Sequence, residues 1–102
     1  MLIYVAHKYG GDPANLARVR RIVHDLQVSN LSDCFVCPLL TFQHLEYGEI
    51  GFEEEMDLCL DLLQFCDLLI VASEPSEGVR REIEYAQLVG IEVVTLNAEI
   101  CR

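Results

Sequence analysis

The chain predicts an α/β domain built on a mainly parallel sheet of four to five strands, and three observations carry that prediction. Short, largely apolar runs recur at Leu2-Ile3-Tyr4-Val5-Ala6, at Leu68-Leu69-Ile70-Val71-Ala72 and again around Val93-Val94. Between them lie stretches whose apolar residues repeat at helical spacing, and glycine or proline stands at the junctions. Strands separated by helices join a parallel sheet through right-handed crossovers. A length of 102 residues fits a single domain, and 52% apolar content is ample for its core.

The first strand is Leu2 to Ala6, followed by a His7-Lys8-Tyr9-Gly10-Gly11 loop. Asp12-Pro13 then opens a helix, with Asp as the cap and Pro at the first helical position. Leu16, Val19, Ile22, Val23 and Leu26 form its apolar stripe, while Arg18, Arg20 and Arg21 lie on the outer faces. After a polar break, residues 34–40 read as a second strand, and Pro38 places it at an edge or ends it. Residues 41–51 form a loop long enough to be functional, carrying His44, Glu46, Tyr47 and Glu49. Helical spacing returns over residues 52–66, with Glu53, Glu54 and Glu55 in the first turn, where the helix dipole favours negative charge. Residues 68–72 are the third strand, residues 78–89 the third helix, stopped by Gly90, and residues 91–96 the last strand.

Composition excludes some partners. A net charge of −10 repels long nucleic acid and anionic membrane surfaces, though a small nucleotide can still be held by a loop and a helix N-terminus. The apolar opening run is too short for a signal peptide or a membrane span, so a soluble, cytoplasmic protein is expected. Five cysteines, an odd number without a secretory signal, are expected to be reduced. Cys34-Phe35-Val36-Cys37 has CxxC spacing, but it lies in a strand-like run with no second pair, so no metal or redox cofactor is expected.

The chemistry concentrates after the third strand. Ser73-Glu74-Pro75-Ser76-Glu77-Gly78 reads as a sharp turn on Pro75 and Gly78, and Glu82 falls within about the first turn of the following helix. There the positive end of the helix dipole would favour its ionised form and make it a candidate nucleophile. The turn also lies beyond the carboxyl end of a strand, where open α/β sheets bind ligands. Taken alone, each feature has a plainer explanation. Glu82 is also what a solvated helix carboxylate looks like, His7 a packed loop histidine, Asp12 a helix cap, and Tyr9-Gly10-Gly11 a strand-to-helix turn.

Three motifs in register, spanning nearly the whole chain, resemble the nucleoside 2-deoxyribosyltransferase superfamily, including its small deoxyribosyltransferase-like members and the nucleoside 5′-monophosphate N-glycosidases. They are Tyr4-Val5-Ala6 with Tyr9-Gly10-Gly11, Cys66-Asp67 before an apolar strand, and Ser76-x-Gly78-x-x-x-Glu82-x-x-x-Ala86. The resemblance implies a flavodoxin-like three-layer α/β/α domain that cleaves the bond between a nucleobase and C1′ of its sugar. Glu82 aligns with the family nucleophile. Tyr4, His7, Lys8, Tyr9, Gly10, Gly11, Ser76 and Gly78 are then expected around the substrate, with Lys8 or Arg80 helping to hold any phosphate. It also implies a homodimer or higher homo-oligomer, with Asn97 as a candidate cross-subunit residue.

Two positions depart from the family pattern. Cys59 stands where many relatives carry an Asp, and Glu84 where a small residue is usual, which would narrow the pocket. Glu55, Glu46 and Glu49 are the candidates to replace that Asp as acid or sugar contact. The expected ligand is a nucleoside or nucleotide. A non-catalytic nucleotide-binding module of the same fold is the alternative.

Overall fold

The structure is a computed structural model and describes residues 1–96. Its elements run β1 (Leu2–Ala6), α1 (Pro13–Ser29), β2 (Cys34–Val36), α2 (Pro38–Thr41), α3 (Phe52–Leu63), β3 (Leu68–Val71), α4 (Glu77–Val89) and β4 (Glu92–Thr95). One four-stranded sheet has the order β2-β1-β3-β4, with every neighbouring pair parallel. This is a flavodoxin-like three-layer α/β/α domain.

Side chains alternate across the pleat, so β1 feeds both cores. Tyr4 and Ala6 pack with Leu63, Leu69, Val79 and Ala86 under α3 and α4, while Val5 packs with Val19 and Ile22 of α1. From adjacent strands β1 and β3 the chain departs in opposite directions, through α1 to β2 and through α4 to β4. The crevice of such a sheet opens at this switch point, beyond the carboxyl ends of the two strands.

Local chemistry sets the element ends. The Asp12 carboxylate accepts from the Ala14 amide at 2.9 Å, capping α1. Gly90 closes α4 in the left-handed region at φ 84°. The second strand is shorter than its apolar run, ending at Val36 at the sheet edge. Pro38 opens α2 instead, because its missing N–H costs nothing at the start of a helix. α3 stops at Leu63 rather than at residue 66, in a tight turn where the Cys66 amide donates to the Leu63 carbonyl. Asp67 then pins β1, its carboxylate accepting from the Leu2 amide at 2.8 Å. Among the described residues no helix is long and apolar enough to cross a membrane.

Candidate functional site

β1 and β3 end side by side, with Ala6 in register with Val71. The loops leaving them are joined by the Lys8 amide donating to Ser73 Oγ at 2.9 Å. Two cavities open at this place. One, of about 320 Å³, is lined by His7, Gly10, Glu55, Ser76, Gly78 and Glu82 among others. The second, of about 340 Å³, shares Tyr9, Tyr47, Ile50, Glu55 and Cys59 with the first and adds Phe42, Glu46 and Leu58. Together they make a two-lobed trough at the switch point. The 41–51 loop forms much of the second lobe, and Tyr47 meets Tyr9 edge-to-face with ring centroids 5.4 Å apart.

Glu82 is the buried carboxylate among those lining this trough, only 5% exposed, and the Tyr4 hydroxyl donates a hydrogen bond to its Oε2. α4 starts at Glu77, so Glu82 lies in the second turn rather than the first, and the dipole does not keep it ionised. Burial dominates. It pushes the carboxyl up to about 7; the Tyr4 hydrogen bond opposes the rise, and the negative charge of Glu55 adds to it. Tyr4 itself is fully buried, and burial with the adjacent carboxylate raises its phenol well above the ordinary value, so it stays a donor. Tyr4 therefore sits behind the nucleophile candidate. It does not line the cavity.

His7 is also buried, at 3% exposure, and lines the cavity with Glu82. Its Nδ1 lies 2.7 Å from the Lys8 carbonyl, and Nε2 has no hydrogen-bond partner. Burial lowers its pKa, and the charges of Arg18 and Lys8 act in the same direction. Ser76 caps α4, its Oγ accepting from the Val79 amide at 3.3 Å. Gly78 is inside the helix, not in the turn before it. A Cβ there would meet Met56 Sδ at 3.4 Å, an ordinary contact.

Some expected residues lie elsewhere. Lys8 does not line either cavity, and its ammonium stands 3.6 Å from the Glu74 carboxylate. Arg80 is exposed and lines neither cavity. Gly11 backs onto the Tyr47 ring, and it too is outside the lining. Among the three acids considered as replacements, Glu55 lines both lobes, Glu46 only the second, and Glu49 neither. Glu84 is exposed and outside both linings, so it does not narrow the pocket. Asn97 lies outside the described residues. Cys59 is buried against the site, its thiol pushed up to about 12 by burial, so it neither gives nor takes a proton near neutrality. Cys37 is likewise buried and free, with its thiol pushed up to about 12.

Tyr47, from the loop read as functional, also lines the trough, together with Pro38, Leu39 and Ile50, which the sequence did not single out for the site. For Tyr47 and Ile50 the signal was the length of the 41–51 loop; Pro38 and Leu39, in α2, had none. No local pattern announced the Tyr4–Glu82 bond, which joins residues 78 positions apart.

No family model matches the chain, and no curated protein matches it. Among solved structures it is similar to a conserved protein from Enterococcus faecalis V583, with a TM-score of 0.73 and 20% identity over 97% of this chain and 69% of that one. That likeness shows the fold.

Proposed function

We propose that the protein cleaves the N-glycosidic bond of a nucleoside or nucleoside 5′-monophosphate, by hydrolysis or base exchange, with Glu82 as nucleophile. The observation that carries this reading is the buried Tyr4–Glu82 hydrogen bond at the wall of a cavity of about 320 Å³ beyond β1 and β3. Breaking the bond develops positive charge at C1′, which an adjacent carboxylate stabilises and then traps as a glycosyl ester. The bond from C1′ to the base nitrogen breaks as the bond from C1′ to a Glu82 oxygen forms. Water, or a second base, then attacks C1′ and releases Glu82.

Glu82 must be ionised to attack, and Tyr4, remaining protonated, holds one carboxylate oxygen in place. The leaving base needs a proton, and of the two other acids lining the cavity, Glu55 and Glu77, Glu55 also lines the second lobe and is assigned to deliver it. The resemblance to deoxyribosyltransferases and nucleotide N-glycosidases supports the same assignment.

Base release measured over a panel of nucleosides and monophosphates, in the wild type and in Glu82→Gln, tests the proposal. Equal turnover in the two forms sinks it. A second reading, a binding module without catalysis, is favoured by Cys59, whose thiol cannot replace a proton-transferring carboxylate. Thermal stabilisation by a nucleotide with no base released would select that reading.

A further inference from the structure

The second lobe, of about 340 Å³, differs in chemistry from the first. Its side chains are aliphatic or aromatic except for Gln43, Glu46 and Glu55, walls that suit a flat ring. Tyr47 is 61% exposed and lines both lobes. Its ring is seated against Gly11, where a Cβ would come within 3.0 Å of it.

Hydrogen-bonding capacity then selects among flat rings. Among the described residues no Lys, Arg or His lines this lobe, so no cationic side chain is there to meet a carbonyl-rich or anionic edge. A carboxylate only accepts, while the Gln43 amide and the tyrosine hydroxyls can accept or donate. Glu46 is exposed, on a turn closed by Glu49: Glu49 Oε1 accepts from the Glu46 amide at 2.9 Å, and the Glu49 amide donates to the Glu46 carbonyl at 3.0 Å. Gly48 makes that turn at φ 81°. The turn occupies the Glu49 carboxylate and leaves that of Glu46 without a hydrogen bond or ion pair among the described residues.

Three acids order the trough. Glu82 lines the first lobe alone, Glu55 both, and Glu46 the second alone. A nucleoside with C1′ at Glu82 and its leaving nitrogen at Glu55 therefore carries its base into the second lobe, toward Glu46. There an amino group gives the carboxylate a charge-assisted donor, where a carbonyl oxygen would meet it as a second acceptor.

We propose that Glu46 makes this lobe select nucleobases that bear an exocyclic amino group over those without one. That the ring is a nucleobase rests on the reading of Glu82 as the group facing C1′.

Nuclear magnetic resonance titration with free bases, which have no glycosidic bond to cleave, reads the lobe apart from the chemistry. Cytosine against uracil, and adenine against hypoxanthine, each exchange an amino group for a carbonyl oxygen. The amino member of each pair should bind about tenfold more tightly, with amide shifts concentrated in residues 41–51. Glu46→Gln, whose amide can turn to face either edge, should reduce the difference to about twofold or less. Glu54→Gln removes the same charge outside both lobes and should leave the difference intact. Equal affinities within both pairs, shifts confined to residues outside 41–51, a difference that survives Glu46→Gln, or binding of no base overturns the proposal. Base release from the matching nucleosides separates the two readings. Release with no amino preference in kcat/KM removes the role of Glu46 and leaves that of Glu82. A Glu46-dependent preference among free bases, with no base released from any nucleoside, keeps the role of Glu46 and removes that of Glu82.

Discussion

A carboxyl group held near neutrality by burial has consequences at the level of the single residue. Glu82 titrates at about 7, and its attack on C1′ needs the ionised form, so kcat/KM should fall about tenfold per pH unit on the acid side of that value. Initial rates from pH 5 to 9 check this. Replacing the carboxylate with an amide of the same shape, Glu82→Gln, should lower base release by at least about 10³-fold with an unchanged circular dichroism spectrum. Tyr4→Phe removes the donor that holds the Glu82 titration down, so the acid limb should move to higher pH. It should also destabilise the fold by about 1–3 kcal/mol, because a buried carboxylate is left unmatched. An unmoved limb in Tyr4→Phe would mean that the two groups are not coupled.

Within elements, the sign of one substitution is set by backbone geometry. Gly90 ends α4 in the left-handed region, with open space where a Cβ would stand. Gly90→Ala therefore tests backbone strain alone and should cost about 1 kcal/mol in urea unfolding. Gly78 has ordinary helical geometry and room for a methyl against Met56. Gly78→Ala should be neutral or stabilising by up to about 1 kcal/mol, since alanine is the better helix former. The same methyl enters the cavity lining, so ligand affinity should drop while stability does not. Asp12→Ala, removing the cap of α1, should cost about 1 kcal/mol. On the outer faces of α3 and α4, Arg81 forms two hydrogen bonds to Glu53, at 2.6 and 3.0 Å, and lies over the Phe52 ring. Such an exposed pair ties the helices together beside the site, and its contribution should fade in high salt.

For the molecule as a whole, the buried carboxylate opposes folding at alkaline pH. The Glu82 carboxyl has an ordinary value of 4.5 when unfolded and about 7 when folded, so the folded form keeps its proton longer. Stability from this group is complete below 4.5 and is lost as pH rises toward 7. By linkage the loss amounts to about 3 kcal/mol. Urea midpoints at pH 4.5 and pH 8 should therefore favour Glu82→Gln over wild type at the higher pH by that margin, and an unchanged difference would contradict the burial. The net charge of −10 acts in the same sense at a distance, weakening every anionic ligand and relaxing as salt is added. The parallel α/β architecture, the Asp12 cap, the Gly90 stop and the acid at position 82 were all legible from order along the chain, because each depends on neighbours a few residues away. Tertiary structure alone decided that Glu82 is buried against Tyr4, that His7 is buried with its Nε2 unpartnered, and that Lys8 turns away to Glu74. Those outcomes depend on the meeting of segments dozens of residues apart and on the water that their meeting excludes, neither of which local spacing encodes.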